Sequence, residues 1–541
     1  MKNIIKNSLC ISGTGLPLLL NASAGAEISS DKIERLPNIV FILADDMGIG
    51  DVSALNPEGK IKTANIDKLV DNGMTFTDAH TSSSVCTPSR YGIITGRYCW
   101  RSKFKGRVLG GYSPCIIPED RETVASMLKK KGYDTAVIGK WHLGLTFQKK
   151  DGSVIKKLKP GREVEKDIDF TKPVKLGPND LGFDYFFGIA GSWNMPPFAF
   201  FKNRKLQYSK LVHHAGPIAP LPDELKKAQE ANLPKQELKR IKRKYPKIVW
   251  DPGVQDINVK PQDAMPAFKK ETVKYLNARK GSSKPFFLYL PLSAPHCPIV
   301  PNKQFIGKSG AGLYGDFVLE VDDFVGTVVE TLKKDGLYDN TILIFSADNG
   351  YSRKGFPDFQ KEKYHHNPSY IYAGCKARMT EGGHRVPFIV VWPSVVKKGS
   401  RCDDLVSLLD LYATFADIVG EKIPSDAAED SISFLPDLLG NGHSARKRIA
   451  HQDFAGYLGI RDFFWKLILP SNPKYYQLYN LENDISEKHN LINDRPEKVK
   501  ELKAVLKKMI KDGRSTPGPE LKNDTPNNWK QLYWMNEASG Q

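Results

Sequence analysis

Cysteine is scarce in this chain: 541 residues carry seven. Cys10 lies in the N-terminal apolar stretch, which leaves Cys86, Cys99, Cys115, Cys297, Cys375 and Cys402. Their spacings contain no CxxC pair, so neither a paired-cysteine zinc site nor a dense disulfide framework is indicated. Internal repeats and low-complexity tracts are absent as well. With 40% hydrophobic and 26% charged residues, the composition excludes a disordered or fibrous chain. Past the N-terminus no segment approaches the roughly eighteen apolar residues of a membrane-spanning helix.

The N-terminus itself is distinctive. Lys2 and Lys6 precede an uncharged apolar stretch at residues 8–20, followed by Asn21-Ala22-Ser23-Ala24-Gly25-Ala26. A basic start, a short apolar run and small residues at alternate positions read as a secretory signal, with cleavage expected near Ala26. Gly and Pro interrupt the run, and Cys10 sits inside it, so no membrane or lipoprotein anchor is expected. The mature chain is expected to be exported, into the periplasm of a Gram-negative cell. Its formal net charge of +18 favours polyanions such as nucleic acid, anionic membrane or sulfated polysaccharide, without choosing among them. Much of that charge lies in Lys-rich runs such as residues 235–247, which read as solvated surface.

Continuous apolar runs occur at residues 38–43, 135–138, 285–290 and 341–345, each ending in polar groups. Such runs read as buried strands of a parallel sheet. Between them, residues 65–72, 123–131 and 315–334 carry helical periodicity. Alternating strands and helices predict an α/β sandwich: a large, mostly parallel sheet flanked by helices, with its ligand site beyond the strand ends. Residues 149–180 and 220–247 read as insertions, the second a helical lid or surface elaboration. Residues 405–419 read as an amphipathic helix. After residue 445 the pattern changes to short antiparallel strands at 457–469 and 474–481 and a helix at 496–512. The expected division is therefore signal 1–26, catalytic domain 27–445 and a smaller α+β subdomain 446–541.

The most informative segment is Cys86-Thr87-Pro88-Ser89-Arg90, continued by Tyr91-Gly92-Ile93-Ile94-Thr95-Gly96-Arg97. A bare C-x-P-x-R is weak, but with Ser89 and the Thr-Gly-Arg tail it resembles the signature of the formylglycine-dependent sulfatases. This resemblance implies an alkaline-phosphatase-like fold and a maturation enzyme that oxidises Cys86 to 3-oxoalanine, or formylglycine. Hydration of that aldehyde gives a diol, of which one hydroxyl attacks sulfur and the other releases sulfate. Arg90, one helical turn on, is expected to face the same site.

Asp45-Asp46 and Asp348-Asn349 each follow a strand. Two such pairs supply four hard oxygen ligands suited to Ca²⁺ or Mg²⁺. The resemblance implies one Ca²⁺ held by these four, with the modified Cys86 also at the ion. Gly139-Lys140-Trp141-His142-Leu143-Gly144 matches the family's second signature. Residues at i and i+2 of an extended segment point the same way, so Lys140 and His142 are expected to reach one anion. The family further implies His296, within Pro295-His296-Cys297-Pro298, as general acid. It implies Lys376, ahead of Glu381-Gly382-Gly383-His384-Arg385-Val386-Pro387, as a third sulfate-binding cation. Trp193, Asn194, His365, His366, His384 and Arg385 are candidates for reading sugar hydroxyls.

The expected activity is therefore hydrolysis of a carbohydrate O-sulfate, the resemblance suggesting 6-O-sulfated galactose or N-acetylgalactosamine of a glycosaminoglycan or mucin. The partners expected are that glycan and the maturation enzyme, without nucleic acid. Two other readings stay open at this point. One is a phosphate mono- or diester hydrolase of the same superfamily, although Lys140, His142 and Lys376 stand where a second metal would bind. The other is a catalytically dead glycan-binding relative.

Overall fold

The computed structural model describes residues 35–214, 230–231, 233–234, 236–238 and 251–536. Its strands begin with β1 (Asn38–Ala44), β2 (Met74–His80), β3 (Asp134–Lys140) and β4 (Tyr185–Ile189). Next come the short β5 (Phe200–Lys202) and β6 (Lys205–Gln207), and the hairpin β7 (Leu211–His214) and β8 (Gly253–Asp256). The central part closes with β9 (Phe286–Pro291), β10 (Thr341–Ala347), β11 (Phe388–Val391) and β12 (Ser400–Ser407). Ten of these form one sheet in the order β12-β2-β11-β10-β1-β9-β3-β4-β5-β6. β11 and β5 run against their neighbours, and the rest run the same way.

Every side chain of β1, β9 and β10 is buried, which is why these strands read as unbroken apolar runs. Helices α1 (Ala64–Asn72), α2 (Cys86–Thr95), α3 (Val124–Lys130), α4 (Ala264–Asn277), α5 (Gly312–Lys334) and α6 (Leu411–Ile418) flank the sheet. Of these, α1, α4 and α5 pack into one group and α2, α3 and α6 into another. The parallel strands place their carboxyl ends on one edge, where Asp45, Lys140 and Asp348 end or follow β1, β3 and β10. The loops after β2 and β9 bring Cys86 and His296 to the same edge.

After the central sheet comes a second one, β13 (Arg448–Gln452), β14 (Leu458–Asp462), β15 (Trp465–Leu469) and β16 (Gln477–Asn480), antiparallel throughout. Helix α7 (Pro496–Lys511) lays Leu502, Leu506 and Ile510 against Leu458, Ile460, Leu467 and Leu478. A spacing of four residues keeps these leucines on one stripe. Burial of each is worth about 1.5–3 kcal/mol.

The expected helix over residues 405–419 requires correction. Leu405, Val406 and Ser407 complete β12, which pairs with β2 after a register shift, and only 411–418 are α-helical. A short apolar run does not distinguish strand from helix, and pairing with β2 decides it. The segment 149–180 contains short 3₁₀ turns and isolated bridges. The expected lid at 220–247 lies almost wholly outside the described residues. Among the described residues no helix is long and apolar enough to cross a membrane.

Candidate active site

Cys86 is the first residue of α2, and the extended Val85 leads into it. Pro88 sits in the first turn, where backbone N–H groups lack intrahelical partners, so it forfeits no helical bond. The Ser89 hydroxyl donates to the Ser83 carbonyl (2.7 Å), tying the helix start to the loop after β2. Gly96 closes α2 with φ +62°, and a Cβ there would stand 2.8 Å from the Ala428 Cβ. Arg97 is buried against Glu429 and Asp524, each at 3.0 Å. The Thr-Gly-Arg tail thus anchors the helix that carries Cys86.

Arg90 does face the site, through a fork. Its Nε donates to Asp348 Oδ2 (2.9 Å), Nη2 lies 2.8 Å from the same oxygen, and Nη1 donates to the Lys140 carbonyl (2.8 Å). It is fully buried and orients one carboxylate together with the end of β3. Asp45 Oδ2 accepts from Lys140 Nζ (2.7 Å), and the Cys86 thiol lies 3.6 Å from Asp45 Oδ1. Asp46, held at φ +62°, accepts from Asn349 Nδ2 (2.8 Å) and from Lys376 Nζ, and its own N–H donates to Asp348 Oδ1 (3.2 Å). Lys376 Nζ also lies 3.3 Å from the Cys86 sulfur.

Two oxygens in this cluster, Asp46 Oδ2 and Asn349 Oδ1, are buried and have no hydrogen-bond partner within the chain. An unsatisfied buried oxygen costs about 1–3 kcal/mol, so two side by side point to a ligand. Asp45, Asp46, Cys86 and His296 offer ligand atoms within 4.8 Å of one another. Carboxylate and amide oxygens suit a hard divalent cation, and the cluster is a possible metal site.

Burial disfavours the charged forms of Asp45 and Asp46, yet both are held below the ordinary carboxylate range. Lys140 and His296 outweigh burial at the first, Lys376 and His296 at the second. Burial, followed by Asp348, pushes the Cys86 thiol far above the ordinary cysteine range. A thiol that keeps its proton is a poor nucleophile.

His142 does not sit in extended backbone. Its φ is +56°, so the period-two argument that paired it with Lys140 fails. The ring nevertheless lies beside the cluster, where burial and then Lys140 and Arg90 hold it well below the usual histidine range. Nε2 is paired with the Leu109 carbonyl (3.0 Å), and Nδ1 is buried without a partner. His296 lies with Nε2 3.7 Å from Asp46 Oδ2 and Nδ1 against the Cys297 carbonyl, and burial pushes it down to about 4.

The six candidates for sugar contact fare differently. Trp193 is buried and stacks on Phe198 at 6.5 Å. Asn194 carries a buried, unpartnered Oδ1. His365 is exposed and caps the helix Asp358–Tyr364 in left-handed backbone. His366 is buried with Nε2 on Asp51 (2.9 Å) and Nδ1 accepting from Lys60 N (3.3 Å), so both ring nitrogens are occupied. His384 is fully buried between the His80 ring, the Met379 carbonyl and Lys466, while Arg385 pairs with Glu381 and Asp78. These last two belong to a buried network reaching the second sheet, which also holds Arg461.

Sequence reasoning passed over three supports. Thr87 Oγ1 donates to the His142 carbonyl (3.2 Å) and accepts from Leu109 N (3.1 Å). Asp51 accepts from Tyr314 and His366 directly behind Asp46. The acid five residues past Asp46 was the one available signal. Tyr314 gave none, because its partners lie more than 260 residues away.

The Sulfatase family model matches residues 37–421, and a model for the N-sulphoglucosamine sulphohydrolase C-terminal region matches 375–516. A Bacteroides thetaiotaomicron N-acetylgalactosamine-6-O-sulfatase is 34% identical over 521 residues, covering 91% of this chain and 96% of that protein. A solved structure from the metabolism of multiple glycosaminoglycans by Bacteroides thetaiotaomicron shares 33% identity with a TM-score of 0.74, covering 88% and 99%. Ps i-CgsB, solved with k-i-k-neocarrahexaose, shares 27% identity with a TM-score of 0.62, covering 88% and 92%. The chain therefore belongs to the sulfatase family. Its reaction class is hydrolysis of sulfuric esters.

Proposed function

We propose that the chain is an exported carbohydrate O-sulfatase that works with formylglycine derived from Cys86 and one Ca²⁺. The observation that carries this reading is a single buried cluster at the strand ends: Cys86 among three carboxylates, one carboxamide, Arg90, two lysines and two histidines. Asp45, Asp46, Asp348 and Asn349 would hold the ion, with the modified Cys86 at its open face; Ca²⁺ is preferred over Mg²⁺ because it tolerates irregular oxygen geometry. Bound there, a divalent cation would supply Lewis-acid chemistry toward the sulfate ester. The formylglycine supplies the attacking hydroxyl and the means of releasing sulfate.

The chain's own residues do the rest. Asp45, Asp46 and Asp348 carry three negative charges against three positive ones on Arg90, Lys140 and Lys376. A divalent ion then leaves the cluster net positive and receptive to an anionic ester. Lys140 and Lys376 hold the sulfate oxygens. Asp348, oriented by Arg90, takes the proton of the attacking hydroxyl. His142, fixed through Nε2, uses Nδ1 to assist sulfate release. His296 is the candidate donor to the departing alcohol, with Asp45 and Asp46 the neighbours that favour its protonated form against burial.

The named relatives support 6-O-sulfated N-acetylgalactosamine of a glycosaminoglycan, while galactose and mucin rest on the sequence resemblance alone. Of the six candidates, His365 offers an exposed imidazole and Asn194 an unpartnered amide oxygen, whereas Trp193, His366, His384 and Arg385 act through packing. Export rests on residues 1–26 as a signal, with residue 445 as the division between catalytic domain and C-terminal subdomain and the maturation enzyme as transient partner. The test is a panel of mono- and disaccharides sulfated at single positions, alongside an aryl sulfate and an aryl phosphate. Fastest sulfate release from the 6-O-sulfated sugars supports the proposal. Phosphate release exceeding sulfate release refutes it.

A further inference from the structure

A cleft of about 610 Å³ is lined by Lys103, Lys105, Arg107, Lys157, Lys159 and Lys530. No acidic residue lines it, and among the described residues none of these six cations has a carboxylate within 4.0 Å. Like charges gathered without a paired carboxylate raise one another's energy, with Asp524 partly offsetting this at Lys105. Burial and then Arg107 lower Lys159 from the ordinary lysine range, burial pushes Lys105 down to about 8, and Arg107 adopts a left-handed backbone (φ +69°) that side chains rarely take. Lys105 and Lys159 are fixed by packing, over the rings of Trp529 and Phe104. Lys103, Arg107, Lys157, Lys159 and Lys530 are exposed, and Lys105 is half-buried.

Two chain segments join the cleft to the active site. Leu109, two residues past Arg107, holds the His142 ring through its carbonyl and Thr87, next to Cys86, through its N–H. Two residues span at most about 7 Å. Gln452, shortly before the lining residues Ala455 and Tyr457, accepts from Ser83 and Ser84 on the loop leading to Cys86.

We propose that this cleft is a second anion-binding subsite. It receives the sulfate or carboxylate groups on sugars adjoining the one being desulfated, so the chain acts on a polyanionic glycan rather than on an isolated sugar. The cleft's role rests on the carbohydrate-sulfatase reading, and the experiment separates the two. In the Cys86→Ala protein, which binds without turnover, calorimetry measures a chondroitin sulfate hexasaccharide, N-acetylgalactosamine 6-sulfate and a single-stranded oligonucleotide. The same measurements follow in the background of Lys103→Ala/Lys157→Ala/Lys530→Ala, with aryl sulfate turnover checked in the corresponding protein that retains Cys86.

Removing three exposed cations is expected to weaken the hexasaccharide by about tenfold, steepest at low salt, with the monosaccharide and aryl sulfate turnover unchanged. Equal hexasaccharide affinity in both backgrounds overturns the cleft alone. Aryl sulfate turnover with no hexasaccharide binding in either background overturns the carbohydrate reading. Oligonucleotide binding as tight as the hexasaccharide's, and lost in parallel, assigns the cleft to polyanions at large and overturns the glycan subsite.

Discussion

Arg90 shows how much of this site depends on shape as well as charge. One guanidinium contacts Asp348 through two nitrogens and the Lys140 carbonyl through a third, setting a carboxylate and a strand end at once. An ammonium cannot reproduce that fork. Arg90→Lys is therefore expected to keep the site's charge yet lower kcat by about a hundredfold, the scale of an ångström-level misplacement. Near-normal kcat on an aryl sulfate would show that charge alone suffices. At this scale the sequence was most legible where a motif is short: Cys86 to Arg90, the two acidic pairs, Lys140 and Lys376 all meet. It was least legible where backbone conformation or distant partners decide. His142 is aimed by a left-handed φ and the Leu109 carbonyl, and His366 is taken up by Asp51, 315 residues away in sequence.

Between elements, the main contact of interest joins the loop after Lys376 to β15. Lys466 lies 2.8 Å from both Glu381 and Glu487, all three buried, and Glu381 in turn holds Arg385. Burial opposes the charge on Glu381, but Lys466 and Arg385 hold it well below the ordinary glutamate range. Lys466→Ala leaves buried carboxylates without their cation and is expected to cost about 3–5 kcal/mol. The pH dependence follows from the sign of that shift. A depressed carboxylate contributes stability above its unfolded value of 4.5, lost as pH falls through the folded value. The deficit of Lys466→Ala should thus be full at pH values above about 4.5 and shrink only as pH falls below 4.5, measured by denaturant unfolding at several pH values. A deficit constant with pH would contradict the ion-pair account.

Element identity followed unbroken apolar runs, which is why β1, β3, β9 and β10 were readable. The strands β2 and β12 were not, because Thr75, Thr77 and Asp78 interrupt one and Arg401, Asp403 and Asp404 the other. Their pairing across more than 300 residues supplies what local pattern lacks.

For the whole molecule, one sheet edge collects groups from six chain segments, and a cation held by Asp45, Asp46, Asp348 and Asn349 would tie the ends of β1 and β10 together. Chelation is expected to abolish activity and to lower apparent stability, by about 2.7 kcal/mol relative to ion at a hundredfold its Kd. Ca²⁺ added back should restore both, followed by thermal unfolding with EGTA and then with metal. Activity unaffected by exhaustive chelation would remove the metal from the account. The net charge of +18 belongs to the same scale. Composition alone left it open between wet surface and polyanion binding, and the fold gathers six of those cations into one cleft.

The central claim is that Cys86 works as an aldehyde and not as a thiol. Tandem mass spectrometry of the peptide spanning Cys86, from protein co-produced with a formylglycine-generating enzyme, tests it when paired with aryl sulfate turnover on the same samples. The account predicts that turnover rises in proportion to the fraction carrying the aldehyde mass and vanishes in Cys86→Ala, which still folds. Full turnover from protein whose Cys86 is wholly unmodified would contradict it.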